Sequence, residues 1–128
     1  MNKDIILCTM CMVYDEDKIL VENRVKKDWP GLTFPGGHVE PNETVEESCI
    51  RERKEETGLD VYDREKVGYI EWNLEDGRHL SILFRTNKFK GELVSSKEGK
   101  VFFLKESEFI FYPWSTDFDK ILKIMKKE

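Results

Sequence analysis

The sequence contains no apolar run approaching the roughly 18 residues that a membrane-crossing helix needs. Its start lacks a basic segment leading into an uninterrupted apolar core. These absences predict a soluble, cytoplasmic protein with no membrane partner. Cysteine is scarce: three residues cannot all pair within one chain, and Cys8 and Cys11 fall in what reads as a buried strand, so a reducing compartment is expected. Cys8-x2-Cys11 has the spacing of half a zinc site or of a redox pair. No second Cys/His pair accompanies it, and a strand points residues three apart to opposite faces, so two small core residues are expected instead. Positive charge is also in deficit, since a net charge of -5 argues against the basic surface that nonspecific binding to a nucleic-acid polymer requires. Neither an internal repeat nor a low-complexity tract is present, and residues 1–128 are expected to form one domain.

The negative charge is concentrated. Residues 40–56 carry seven Glu against Arg51, Arg53 and Lys54, a local -4 that leaves -1 for the rest of the chain. Such a cluster is either a solvated helix face or a cation site. The surrounding pattern places it on a helix: residues 43–57 contain no Pro or Gly, helix formers dominate, and Gly58 supplies a stop. Upstream, residues 5–14 and 18–25 read as strands joined by a turn at Asp15-Glu16-Asp17. Residues 32–39 are short strand pieces around Gly36 and Gly37, which permit positive φ or close backbone approach to a ligand. Downstream, residues 67–74 and 79–86 flank Glu75-Asp76-Gly77, a hairpin signal. A strand over residues 100–104 follows the polar loop 95–99, and Phe118, Ile121, Leu122 and Met125 space a final helix over residues 116–127. The order predicts a mixed sheet with helices on its faces.

On the middle helix Glu52, Glu55 and Glu56 stand at i, i+3 and i+4, so their carboxylates share one patch and repel one another unless a cation joins them. Mg2+ suits such a patch, since it prefers carboxylate oxygen and completes its shell with water and substrate phosphates. Arg51 can hold a carboxylate by a forked hydrogen bond. A solvated helix with Glu to Lys or Arg pairs is the competing reading of the triad alone.

The longer pattern Gly37-x5-Glu43-x7-Arg51-Glu52-x2-Glu55-Glu56-x-Gly58-Leu59, preceded by Phe34-Pro35-Gly36-Gly37-His38-Val39-Glu40, resembles the box of the Nudix hydrolases, G-x5-E-x7-R-E-U-x-E-E-x-G-U with U aliphatic. One position departs: Arg53 stands at a U position. Either that side of the helix packs on less of the sheet, or the arginine stem lies along it with the guanidinium in solvent. The resemblance runs through nearly the whole chain and implies a three-layer α/β/α sandwich around a mixed β-sheet. It implies that Glu52, Glu55 and Glu56 hold Mg2+, with Mn2+ an alternative and the Gly36 carbonyl a further ligand. Glu43 would contact Arg51 or hold a metal-bound water. The reaction implied is attack of water on a pyrophosphate linkage, with the base Glu52, Glu55 or a loop carboxylate. The 95–99 loop offers Glu98, as base, as further ligand, or as a solvated residue.

Arg24 and Lys26 alternate along one strand and share a face, from which either could neutralise substrate phosphates or simply aid solubility; Lys27 reads as surface. Trp29, Tyr69, Trp72 and Trp114 are the rings on which a base could stack. Trp114 is favoured, because some members acting on oxidised purine nucleotides place a stacking Trp before acidic base-readers, here Asp117. Equally, Thr116 or Asp117 can cap the last helix with Trp114 packed on its first turn. The chain is similar to bacterial MutT-type 8-oxo-dGTP diphosphatases, with ADP-ribose, nucleotide-sugar and dinucleoside polyphosphate hydrolysis as alternatives. Outside hydrolysis, the domain could be a non-catalytic nucleotide sensor. A monomer or a homodimer acting on a small nucleotide is expected.

Overall fold

The computed structural model describes residues 4–25 and 30–128; the expectations for Lys26, Lys27 and Trp29 lie outside the described residues. Strands β1 (Ile5–Asp15) and β2 (Lys18–Arg24) form the expected hairpin, with Glu16 at φ 56 in the turn. Beyond the turn β2 lies between β3 (Gly31–Thr33) and β9 (Gly99–Lys105), antiparallel to both. The other side of β1 takes β4 (Gly36–His38) and runs parallel to β7 (Gly77–Thr86), which is hairpinned to β6 (Glu65–Leu74). The result is a mixed sheet.

Helix α1 (Val45–Thr57) begins two residues later than its composition suggests, because Thr44 makes a reciprocal cap with Glu47. It ends at Gly58, whose φ of 79 is a left-handed C-cap. Helix α2 (Phe118–Met125) covers the opposite face. Alternation along the strands feeds two separate cores. Cys11 and Val13 of β1, Leu20 of β2 and Phe84 of β7 pack with Cys49 of α1. Met12, Ile19, Val21 and Leu83 point the other way, onto Phe118, Ile121 and Met125 of α2. Each fully buried aliphatic side chain contributes roughly 1.5–3 kcal/mol, and the two half-cores clamp the sheet into the expected α/β/α sandwich. Cys11 and Cys49 meet on the α1 face, Cys8 lies beside a cavity lined by Met10, and all three thiols are free. Among the described residues no helix is long and apolar enough to cross a membrane.

Two small features carry too little periodicity to be read from sequence: a two-stranded sheet of β5 (Leu59–Tyr62) and β8 (Lys88–Gly91), and a 3-10 helical turn at Glu106–Phe111. Arg53 requires a correction. It is 0% exposed, so neither a thinner contact with the sheet nor a solvated guanidinium describes it. The side chain is accommodated because its neighbours, Cys11 on the sheet and Cys49 one turn back on the same helix, are small, and because Glu56 supplies negative charge 3.7 Å away.

Candidate functional site

Arg51 gathers the carboxylates. Its Nε and Nη2 donate to the two oxygens of Glu43 at 2.9 and 2.7 Å, and Nη2 also donates to the His38 carbonyl at 2.9 Å. Nη1 donates to Glu52 Oε1 at 2.7 Å and to Glu55 Oε2 at 3.0 Å. A fork of this kind fixes orientation as well as charge. It holds the Glu43 carboxyl down at about 2, mainly through the Arg51 hydrogen bonds, and pushes the guanidinium further above its ordinary value.

Behind this cluster the glutamates are buried rather than gathered. Burial pushes Glu56 up to about 8, against the pull of Arg53, whose Nη2 lies 3.7 Å from Glu56 Oε2. Glu22 on β2, 1% exposed, is pushed by burial up to about 7. Glu98, half-buried just before β9, is an electrostatic neighbour of both. Glu98 thus stands within electrostatic range of Glu56 on α1, a proximity that sequence does not encode.

Among the described residues no three His, Cys, Asp or Glu side chains already converge as a metal cage, since Arg51 draws Glu52 and Glu55 toward itself. The donors nevertheless fit a hard divalent cation, being carboxylate and carbonyl oxygens. Glu56 Oε2 is buried with Arg53 Nη2 3.7 Å away but makes no hydrogen bond among the described residues, so it keeps acceptor capacity that a bound cation would use. A Cβ on Gly37 would lie 2.3 Å from the Glu52 Cδ, so only glycine lets β4 pass this close to the carboxylate. Close approach, not positive φ, is what Gly37 supplies.

Gly36 and Gly37 also line a cavity of about 330 Å³, together with Arg24, Phe34, Trp72 and His79. The glycines thereby join a carboxylate cluster to an aromatic-walled cleft. Trp72 and His79 are cross-strand partners on β6 and β7, and His79 Nε2 lies 2.8 Å from Asp76 Oδ1 at the rim.

Trp114 is placed differently from its favoured reading. Its ring stacks on Phe118 at 3.9 Å, tilts against Phe109 at 4.7 Å, and gives its Nε1–H to the Phe109 carbonyl at 2.7 Å. It is absent from the cavity lining, where Trp72 stands instead. Asp117 occupies the N-cap position of α2 but makes no side-chain cap; its carboxylate accepts from Trp72 Nε1 at 2.8 Å. Glu22 is not marked by any sequence pattern. A glutamate within a β2 segment carries no spacing relation to α1, and only its burial reveals it.

A mixed sheet between two helices thus carries an arginine-gathered glutamate set on one helix, and Gly37 joins that set to an aromatic-walled cleft. The sequence matches the NUDIX domain family model over residues 6–118, and the chain belongs to the Nudix family. Among similar proteins, an uncharacterized Nudix hydrolase of Bacillus subtilis is 32% identical over 99 residues, covering 73% of this chain and 61% of that protein. An ADP-ribose pyrophosphatase of Methanocaldococcus jannaschii is 36% identical over 92 residues, covering 70% of this chain and 54% of that one. The 8-oxo-dGTP diphosphatase of Proteus vulgaris is 37% identical over 65 residues, covering 50% of this chain and 57% of the relative. The matched stretch thus spans between half and two thirds of each relative's length. In structure, the chain is similar to the MutT protein of Bacillus halodurans, with a TM-score of 0.79, 28% identity, and coverage of 92% of this chain and 80% of that one.

Proposed function

We propose that this chain is a Mg2+-dependent hydrolase of a pyrophosphate linkage in a nucleoside diphosphate derivative, with an oxidised purine deoxynucleotide such as 8-oxo-dGTP the preferred substrate. The products are the nucleoside monophosphate and pyrophosphate. The observation that carries the proposal is the Arg51 fork, which collects Glu43, Glu52 and Glu55 on one patch, with Glu52 against Gly37, a residue that also lines the cleft.

Glu52, Glu55 and Glu56, with the Gly36 carbonyl and Glu98, are the oxygens that would hold Mg2+ or Mn2+. When bound, the cation neutralises phosphoryl oxygens as the linkage breaks. Arg51 keeps Glu52 and Glu55 oriented through the reaction. An Oε of Glu52, Glu55 or Glu98 takes the proton of the attacking water. Arg24, on the cavity lining, provides positive charge toward the phosphates, and Trp72 provides the apolar face for the base. The domain acts in the cytoplasm, as monomer or homodimer, on a small nucleotide.

Hydrolysis of ADP-ribose is the second reading, favoured by the name of the archaeal relative. Incubation with Mg2+ and a panel of dGTP, 8-oxo-dGTP, ADP-ribose and diadenosine polyphosphates, with products resolved by chromatography, separates the two. Preferential release of 8-oxo-dGMP supports the first reading, and preferential turnover of ADP-ribose replaces it with the second. Glu56→Gln tests the hydrolase assignment against a pure binding module: an enzyme loses about 100-fold or more in kcat. A sensor has no turnover to lose and keeps its nucleotide affinity.

A further inference from the structure

Cavities that take small molecules are mostly apolar, with a few polar groups that fix the orientation and identity of the ligand. The cleft lined by Gly36 and Gly37 has such walls: Phe34 belongs to the α2-side core, and Met10 and Trp72 pack against it. Ser81 of β7 lines the same cleft at 2% exposure, and its Oγ is buried without a hydrogen-bond partner among the described residues. Two other buried hydroxyl residues of the lining are placed differently. Thr9 shares its hydroxyl with Ser48 Oγ at 3.3 Å. Thr33 lies opposite Glu22, on the strand face turned away from that of Leu32 and the α2-side core. Ser81, by contrast, shares a strand face with Leu83 and has Ile70 as its partner on β6, and both belong to the α2-side core. The hydroxyl therefore enters an otherwise apolar layer, on the side of the sheet where Phe34 and Trp72 stand.

Packing alone would favour an alanine or valine there, because a buried hydroxyl without a partner costs stability. A ligand can supply the partner. On β1, Cys8 pairs with Ser81 on one side and with His38 of β4 on the other, so Ser81 lies two strand spacings, roughly 9–10 Å, from β4. Gly37 of β4 abuts Glu52 of the carboxylate cluster, and a nucleotide with its phosphates at that end lays its base toward β7. We propose that Ser81 is a specificity-determining residue of the cleft, its hydroxyl hydrogen-bonding the polar edge of a purine base that lies against Trp72. This rests on the reading that the cleft takes the base of a nucleotide. The hydroxyl both donates and accepts, and a turn about χ1 presents it to the ligand with no change of backbone. A site built to make such a bond discriminates against a ligand that cannot complete it.

The test compares wild type with Ser81→Ala by isothermal titration calorimetry in buffer containing Mg2+. The ligands are 8-oxo-dGMP, dGMP and dAMP, with deoxyribose 5-phosphate as a ligand without a base. These monophosphates have no pyrophosphate linkage to break, so binding is read without turnover. Ser81→Ala weakens the tightest-binding monophosphate about three- to tenfold, the effect of one buried neutral hydrogen bond, and leaves deoxyribose 5-phosphate unchanged. The melting temperature of the ligand-free variant rises by about 3 °C, because a polar group that the fold does not satisfy has been removed. A hydroxyl that served the fold would give the opposite sign. Unchanged binding of all three monophosphates, an equal loss for deoxyribose 5-phosphate, or weaker binding with a lowered melting temperature overturns the assignment. If dAMP binds tightest, the oxidised-guanine reading falls, and a loss of dAMP affinity in the variant still supports Ser81. A wild type that binds none of the three monophosphates overturns the base cleft and the role of Ser81 together.

Discussion

Trp72 donates its indole N–H to the carboxylate of Asp117 at 2.8 Å, tying the end of β6 to the start of α2 across 45 residues of sequence. Asp117 adopts a left-handed backbone, φ 63, rather than the extended conformation usual for an N-cap. Its side chain is therefore spent on Trp72 and not on its own helix. The indole plane is fixed where it forms the cavity wall.

Replacing Trp72 should accordingly affect substrate binding more than chemistry. Base stacking on an aromatic ring contributes about 1–3 kcal/mol, so Trp72→Ala is expected to raise KM about 5- to 100-fold with kcat within a fewfold. Asp117→Ala should give a smaller KM rise, and Asp117→Asn, which keeps an acceptor, almost none. Steady-state kinetics on the preferred nucleotide decide the matter; a loss confined to kcat would take Trp72 out of the binding wall. Trp114→Phe should leave KM unchanged and lower the melting temperature, because its ring and N–H are engaged with Phe118 and Phe109.

Arg51→Lys should keep the charge and lose the fork. A lysine ammonium cannot span Glu43, Glu52, Glu55 and the His38 carbonyl at once. We expect kcat to fall at least about tenfold with a modest drop in melting temperature, since this cluster is partly solvated. Retention of wild-type kcat would show that the carboxylates do not depend on the fork for their placement.

How much of this was legible beforehand depends on whether function follows a local spacing. Arg51, Glu52, Glu55 and Glu56 sit on one uninterrupted helix, so i, i+3 and i+4 geometry places them from sequence alone. The alternating strands gave the layers for the same reason, as Cys11 and Met12 show by entering opposite cores. Glu22 escaped because its burial comes from packing between β2 and elements far apart in the chain, whereas Trp72 stood among the candidate rings and only its bond to Asp117 and its place on the cavity wall required the fold. Arg53 reads as solvent-facing from sequence because its burial beside Cys11, Cys49 and Glu56 is visible only in the fold. Trp114 and Trp72 are chemically alike; only the packing around each ring tells core from cleft.

The raised carboxyls carry a pH signature for metal-free protein. Glu22 and Glu56 ionise at about 7 and about 8 in the fold, against 4.5 ordinarily. Between pH 4.5 and 8 the native state therefore holds more protons than the unfolded chain, and stability falls as pH rises through this window. Glu43, held at about 2, works in the opposite sense, contributing stability above pH 4.5 that is lost as pH falls toward 2. Melting curves in chelator should decline from pH 5 to 8, and Glu22→Gln should flatten the decline. Added Mg2+ should raise the melting temperature most at the alkaline end, where both carboxylates are free to accept it. A metal-free melting temperature that climbs steadily from pH 5 to 8 would contradict these shifts.

Gly37→Ala isolates carboxylate placement from carboxylate chemistry. The added Cβ would lie 2.3 Å from the Cδ and 2.4 Å from Oε2 of Glu52, while the backbone φ at Gly37 is open to alanine. The atoms that must yield are the end of a flexible side chain, so the fold should survive with a melting temperature within a few degrees of wild type. The carboxylate, however, has to leave the patch gathered by Arg51, whose Nη1 holds Glu52 Oε1 at 2.7 Å. A displacement on the order of 1 Å at a reacting centre lowers turnover about 100-fold. We therefore expect Gly37→Ala to lose about 100-fold in kcat, with Mn2+ affinity falling in parallel and KM for the nucleotide nearly unchanged. Loss of folding would assign the glycine to the packing of β4 on β1, whereas full activity would mean that Glu52 can act from a second position.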